Sequence, residues 1–266
     1  MDKINIVNGD GTYVKDCFSK TIDIAIDYYG QEYKKIILDT ITNLSFYEWQ
    51  TNQNILEVYK DVKKSALSLE KTNYLKLKKD SIEGIFFEEE QVVVYKNDLL
   101  KRNYHTLIHE TLGHAVFGYL DNKIVINGEK YYRNGLRLRN DRLVKDEYIN
   151  EGFVELATNN IMKKASLYNP TPNNYENALL FAWILIDILG RKKVYDHLIL
   201  NIGDIRVDFD EELDKSAYLY NWKNTSYTLD KIYNDMYKPE YLFNIRTYQE
   251  SLNEFIKRKS LRKGRF

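Results

Sequence analysis

Three of the four histidines of the chain, His105, His109 and His114, lie within a stretch of ten residues. Histidine is the commonest transition-metal ligand in proteins because its neutral ring nitrogen is available near neutral pH. Glu110 follows His109, so residues 109–114 read His-Glu-Thr-Leu-Gly-His. Two histidines on one helix with a glutamate beside them can hold a zinc ion and place a base next to its bound water. The segment therefore predicts a metal site suited to hydrolysis.

The spacing of the two outer histidines places a demand on the backbone. His109 and His114 are five residues apart, and on a regular α-helix five steps turn the second side chain roughly 140° away from the first. A π-type turn adds one residue and brings the two rings back to the same side. Gly113 offers the backbone freedom for such a turn. We therefore predict a local π-type distortion between the two histidines.

The segment also resembles a known family motif. It has the His-Glu-x-x-Gly-His form of the dipeptidyl peptidase III family, which are zinc peptidases of the gluzincin type. The resemblance covers this motif and residues 148–155, and the chain is much shorter than those enzymes. It implies that His109 and His114 bind Zn2+ and that Glu110 acts as the general base.

A catalytic zinc takes a third protein ligand and leaves its fourth position to water. In gluzincins that ligand is a glutamate on a following helix. Residues 150–153 read Asn-Glu-Gly-Phe, which is similar to the third-ligand segment of gluzincin aminopeptidases. Glu151 and Glu155 also have the Glu-x-x-x-Glu spacing of the dipeptidyl peptidase III counterpart. Both resemblances imply that Glu151 is the third ligand and that Glu155 orients a ligand imidazole.

The role of His105 has two interpretations. His105 and His109 are four residues apart, so this pair could also chelate a metal ion from one regular helix. Alternatively, His105 packs or forms a hydrogen bond one turn before the site. The sequence leaves both interpretations open.

Peptide hydrolysis passes through an anionic tetrahedral intermediate, which needs a second electrophile besides the metal. The sequence does not choose among its candidates, which are Tyr131, Tyr132, Arg133, Tyr195 and His197. For His197, a structural histidine with a satisfied hydrogen bond is the alternative interpretation.

Two predicted helices must carry the candidate ligands. The first runs from Asn97, a plausible N-terminal cap, to Tyr119, and the second from Asp141 to Ala165. Between them, Asn127-Gly128 predicts a hairpin from Lys123 to Leu138, which would turn the chain so that the helices face each other. Before them, β-branched and aromatic runs predict a hairpin from Ser81 to Tyr95. By analogy with zincins, an extended peptide could pair with its edge.

The remaining predicted elements are helical. They run from Ser19 to Gly30, from Glu32 to Leu75 with breaks near Asn43 and Thr51-Asn52, from Asn173 to Leu189, and from Val194 to Leu200. The predicted fold class is α+β and zincin-like, with a small antiparallel sheet, then metal-binding helices and a helical C-terminal part. We expect one catalytic domain over residues 1–266, with a sheet and metal-helix lobe (1–120) and a mainly helical lobe (121–266).

The net charge, the cysteine count and the distribution of apolar residues argue against several other classes of protein. The 266 residues have a formal net charge of zero, which argues against nucleic acid or an anionic membrane as the main partner. One cysteine, Cys17, permits no internal disulfide and is expected to be buried. The start of the chain lacks an apolar signal segment, and the most apolar run, Ala178 to Leu189, is too short to cross a bilayer. These features predict a cytoplasmic protein, with non-classical export still open.

The predicted function is a zinc-dependent peptidase that acts on a peptide or protein substrate. One alternative is a zinc amidohydrolase that acts on other amides or esters. Another is a catalytically inactive zincin-fold binding protein, which the presence of Glu110 disfavours. The sequence specifies neither the substrate, nor exo- versus endopeptidase action, nor the oligomeric state.

Overall fold

The computed structural model describes residues 4–9, 11–49, 53–63, 83–88, 90–96, 104–119, 123–126, 129–139, 144–167, 176–203, 205 and 208. The described helices are α1 (Thr12–Tyr29), α2 (Lys34–Asn43), α3 (Ile55–Lys63), α4 (His105–Ile108), α5 (Glu147–Lys164), α6 (Glu176–Leu189) and α7 (Arg191–Ile199). A 3-10 helix, Gln31–Tyr33, precedes α2, and a π-helix, His109–Ala115, continues α4. The described strands are β1 (Asn5–Asn8), β2 (Ser45–Trp49), β3 (Gly84–Phe87), β4 (Val92–Lys96), β5 (Lys123–Ile126), β6 (Glu129–Asn134), β7 (Arg137–Arg139) and β8 (Val144–Lys145).

The predicted α+β class is confirmed. The chain groups into two compact units, one formed by Met1–Tyr119 with Ala157–Pro172 and the other by Leu120–Leu156 with Asn173–Phe266. Helix α5 begins in the second unit and ends in the first. Among the described residues, no helix combines the length and apolar character needed to traverse a lipid bilayer.

The first unit contains a four-stranded sheet in the order β1-β2-β4-β3. The predicted hairpin is present as β3 and β4, which pair antiparallel with Phe86 opposite Val93. The prediction of an antiparallel sheet was wrong beyond this hairpin, because β2 pairs parallel with both β1 and β4. The sheet is therefore mixed, and β3 occupies one of its edges.

Strand β2 also corrects the helix predicted from Glu32 to Leu75. Helix α2 ends at Asn43, and the next residues extend beside β4 with Phe46 opposite Val93. Phe46, Tyr47 and Trp49 are all buried. Aromatic side chains favour a pleated, half-buried surface, and pairing with a β-branched strand decides the conformation here. Helix α3 follows, and residues 64–75 of the prediction lie outside the described residues.

Helix α1 begins at Thr12, seven residues earlier than predicted, and ends at Tyr29 before Gly30. Its buried face includes Cys17, as predicted from the sequence. Burial raises the pKa of the Cys17 thiol, so this side chain acts as a packing residue and not as a nucleophile.

The second unit contains an antiparallel sheet in the order β5-β6-β7-β8. The predicted hairpin from Lys123 to Leu138 corresponds to β5 and β6, with Ile126 opposite Glu129, followed by β7. Helix α5 begins at Glu147 and not at the predicted Asp141. Strand β8 occupies part of the difference, and Asp146 has a φ of 54°. That left-handed conformation is incompatible with a continuing helix, so the helix starts after it.

Helices α6 and α7 complete the described part of the second unit. They meet at Gly190, whose φ is 88°, a conformation that glycine adopts without strain. The start predicted for α6 at Asn173 lies outside the described residues. Helix α7 begins three residues before the predicted Val194 and ends at Ile199.

Candidate metal centre

The predicted π-type turn is present. The chain is α-helical from His105 to Ile108 and π-helical from His109 to Ala115. The extra residue brings the rings of His109 and His114 to a centroid separation of 5.0 Å at an interplanar angle of 72°. Both side chains are buried, with 8% and 7% of their surface exposed. The five-residue spacing thus yields two neighbouring imidazoles.

A hydroxyl group from another helix supports this turn. The Val116 N–H donates to the carbonyls of Thr111 and Gly113 and not to the carbonyl of Leu112 between them. The hydroxyl of Tyr29, on α1, donates instead to the Leu112 carbonyl at 2.5 Å. Burial raises the pKa of Tyr29, so the hydroxyl keeps its proton and remains a donor. A buried carbonyl needs such a partner, and Tyr29 therefore stabilises the widened turn.

Glu151 completes a group of three possible ligands. One ligand atom each from His109, His114 and Glu151 lies within 4.8 Å of the other two. Two imidazole nitrogens and one carboxylate oxygen are the donors of many catalytic zinc sites. A tetrahedral ion with bonds of about 2.0–2.2 Å separates its ligands by roughly 3.4 Å, so small side-chain movements would bring these atoms into coordination. This His/Glu group is close enough to hold a metal ion.

The neighbours of Glu151 in the Asn-Glu-Gly-Phe segment have structural contacts. The side chain of Asn150 accepts a hydrogen bond at 2.9 Å from the Leu136 N–H. A Cβ atom added at Gly152 would lie 2.3 Å from the carbonyl oxygen of Ala178, so only glycine permits this close approach of α5 to α6. These contacts fix the start of α5 and with it the Glu151 backbone.

His105 and Glu155, two further candidates from the sequence, lie beside His109. His105, His109 and Glu155 form another group whose ligand atoms are within 4.8 Å of one another. The rings of His105 and His109 stack at 5.7 Å and 27°. Glu155 is almost fully buried, with 2% exposed. The structure therefore places five predicted residues in two groups that share His109: His105, His109, His114, Glu151 and Glu155.

Glu110 lies on the π-helix and packs against strand β3. A Cβ atom added at Gly84 would lie 2.3 Å from Cγ2 of Thr106 and 3.2 Å from Cγ of Glu110. A side chain larger than that of glycine would therefore require Thr106 to shift and would crowd the stem of the candidate base. Glu110 itself is half-buried.

Two of the candidate electrophiles, His197 and Arg133, form hydrogen bonds within the second unit. His197 is buried, and its Nε2 lies 2.5 Å from Asp208 Oδ2. Arg133 donates hydrogen bonds to the carbonyls of His197, Gly203 and Gly135. These contacts connect the chain after α7 to the second sheet.

Asp208 links His197 to Lys193, whose Nζ is 2.7 Å from the carboxylate. Burial raises the pKa of Asp208, but hydrogen bonds from Lys193 and His197 outweigh it and lower the pKa overall. Asp208 therefore stays ionised and pairs with Nε2 of His197, whereas the buried Nδ1 of His197 has no hydrogen-bond partner among the described residues.

Tyrosines 195 and 131 are buried as core residues, and the Tyr132 side chain lies outside the described part. In the described part of the chain, His197 belongs to neither group of three possible metal ligands. The transition-state donor stays unassigned.

Sequence reasoning missed Tyr29, Gly84 and Asp208. Tyr29 is one of 23 tyrosines and lies 83 positions before its acceptor, so no local pattern indicates its contact. Gly84 carried a detectable signal, since a glycine beside a β-branched and aromatic strand often marks a close backbone approach.

Comparisons of the chain with protein-family models, with curated proteins and with solved structures found no match.

Proposed function

We propose that this chain is a zinc-dependent peptidase of the gluzincin type, with His109, His114 and Glu151 as the zinc ligands and Glu110 as the general base. The observation that carries the proposal is the π-helix His109–Ala115. It makes a five-residue histidine spacing compatible with one ion and keeps Glu110 directly beside the first ligand. The motif resemblance and the geometry thus support the same residues.

Each group has a definable task. A zinc ion held by these residues would act as a Lewis acid, which would lower the pKa of a bound water and polarise the scissile carbonyl. Glu110 accepts the proton of the attacking water and delivers it to the leaving amine. Burial of His109 and His114 excludes bulk solvent from the imidazoles, which strengthens their interaction with a cation.

Strand β3 supports a peptide as the substrate. It is an edge strand of its sheet, and its first residue, Gly84, packs beside Glu110. An extended peptide that pairs with this edge, which no other described strand covers, would run its backbone past the base. Main-chain pairing of this kind favours peptides over smaller amides or esters.

Substitution of Glu110 tests this function. We expect Glu110→Gln to retain about one zinc per chain but to lose peptide hydrolysis by at least roughly 100-fold, because the amide cannot accept the proton. Zinc is measured by mass spectrometry and hydrolysis with a peptide library. Glu83→Gln is the matched control, since Glu83 is an exposed acid just before β3.

Three results would contradict the proposal: no zinc in the wild type, undiminished hydrolysis by Glu110→Gln, or equal losses in the control. Cleavage of non-peptide amides or esters without peptide cleavage would instead favour the amidohydrolase alternative. Zinc binding without any hydrolysis would favour an inactive zincin-fold binding protein.

A further inference from the structure

A second group of possible ligands overlaps the proposed zinc site. It consists of His105, His109 and Glu155, whose ligand atoms lie within 4.8 Å of one another. The group contains the same donors as the first, two imidazoles and one carboxylate. It shares only His109 with the group completed by His114 and Glu151.

Regular helix geometry produces this second group. His105 and His109 are four residues apart across an α-helical turn, which places their side chains on one face. Their rings stack at 5.7 Å. Glu151 and Glu155 are likewise four residues apart on α5. Each histidine pair is therefore matched by its own glutamate: the α-helical pair by Glu155 and the π-helical pair by Glu151.

The shared histidine restricts how the two groups can be used. A neutral imidazole offers one unprotonated ring nitrogen to a metal ion. His109 therefore serves one ion at a time, and the two groups are alternatives for a single ion. An ion that moved from the first group to the second would exchange His114 and Glu151 for His105 and Glu155 and keep His109.

We propose that His105, His109 and Glu155 form a second, overlapping metal position that holds a divalent transition-metal ion when the first position is incomplete. This goes beyond the proposed function, because it concerns metal binding and does not require hydrolysis. The competing role for Glu155 is to orient an imidazole by a hydrogen bond, without binding a metal.

Cobalt binding to the metal-free protein separates these roles. In the double variant His114→Ala/Glu151→Ala the second group is complete, whereas the first keeps only His109. We expect this variant to bind about one Co2+ per chain, with visible absorption bands, more weakly than the wild type. Adding His105→Ala or Glu155→Gln should then weaken binding by about tenfold or more.

Binding by the double variant no stronger than that of His109→Ala would overturn the proposal and leave Glu155 as an orienting group. The near-isosteric pair His114→Asn/Glu151→Gln is measured in parallel, and circular dichroism establishes which variant is folded. His105→Ala/Glu155→Gln with the first group intact serves as the reference and should still bind about one Co2+. Failure of the proposed function would appear separately, as absent zinc or absent hydrolysis in the wild type.

Discussion

The α-helical turn from His105 to His109 and the π-helical turn from His109 to His114 each bring two imidazole rings together, but by different backbone geometry. The first places two imidazoles side by side through ordinary helix geometry. The second does so across one more residue, by widening the backbone. The wider turn needs support from outside the helix, which the Tyr29 hydroxyl gives to the Leu112 carbonyl. In this chain, a contact between residues distant in sequence stabilises the π turn.

Removal of the shared histidine should have the largest effect. His109→Ala breaks both groups, so we expect a loss of metal affinity greater than the roughly 10–100-fold typical of changes outside the coordination sphere. Isothermal titration of the metal-free protein with zinc measures this loss. His197→Asn is the control, because His197 is equally buried but bonded to Asp208. If the two variants lost zinc affinity to a similar extent, the loss would follow from replacing any buried histidine, and the assignment of His109 as a ligand would be contradicted.

Tyr29→Phe should distinguish the two turns. It removes the donor to the Leu112 carbonyl while keeping the ring, and an unsatisfied buried carbonyl costs about 1–3 kcal/mol in the free energy of unfolding. We expect weaker zinc binding in the wild-type background, measured by competition with a chromophoric chelator. In His114→Ala/Glu151→Ala, where only the α-helical pair binds, the substitution should have little effect on affinity.

Tyr28→Phe is the matched control for this comparison, since Tyr28 is a buried tyrosine next to Tyr29 on α1. If Tyr28→Phe weakens zinc binding as much as Tyr29→Phe does, the hydroxyl contact is not what supports the π turn.

Gly84→Ala should have a smaller effect, confined to catalysis. The added methyl group would press on Thr106 in the α-helical turn and on Glu110 in the π-helical turn. We expect kcat to fall by up to roughly 100-fold through displacement of the base, while zinc remains bound. The double variant Gly84→Ala/Thr106→Ser removes Cγ2 of Thr106, the nearest obstacle, and should recover part of the activity. Wild-type kcat in Gly84→Ala would refute the positional effect.

Local rules were sufficient for much of the histidine helix. A five-residue spacing with Gly113 beside the second histidine predicted the π turn, because two imidazoles cannot otherwise converge. The hairpin of β3 and β4 followed from β-branched and aromatic runs. Because these features depend on residues that are close together in the sequence, they can be predicted from the sequence alone.

Other features depend on partners distant in sequence. Strand β2 was predicted as part of a helix because its conformation is decided by parallel pairing with β1 and β4. Glu155 was assigned an orienting role, and its grouping with His105 follows only from how α5 is positioned. The contact of Tyr29 with Leu112 likewise appears only once the chain is folded.

Zinc-edge anomalous diffraction from crystals of the wild-type protein tests the central claim most directly. We expect one strong peak at about 2.0–2.2 Å from a ring nitrogen of His109, a ring nitrogen of His114 and a carboxylate oxygen of Glu151. A regular α-helix at residues 109–115 with the two imidazoles on different sides, or a zinc ion bound by other residues, would contradict it.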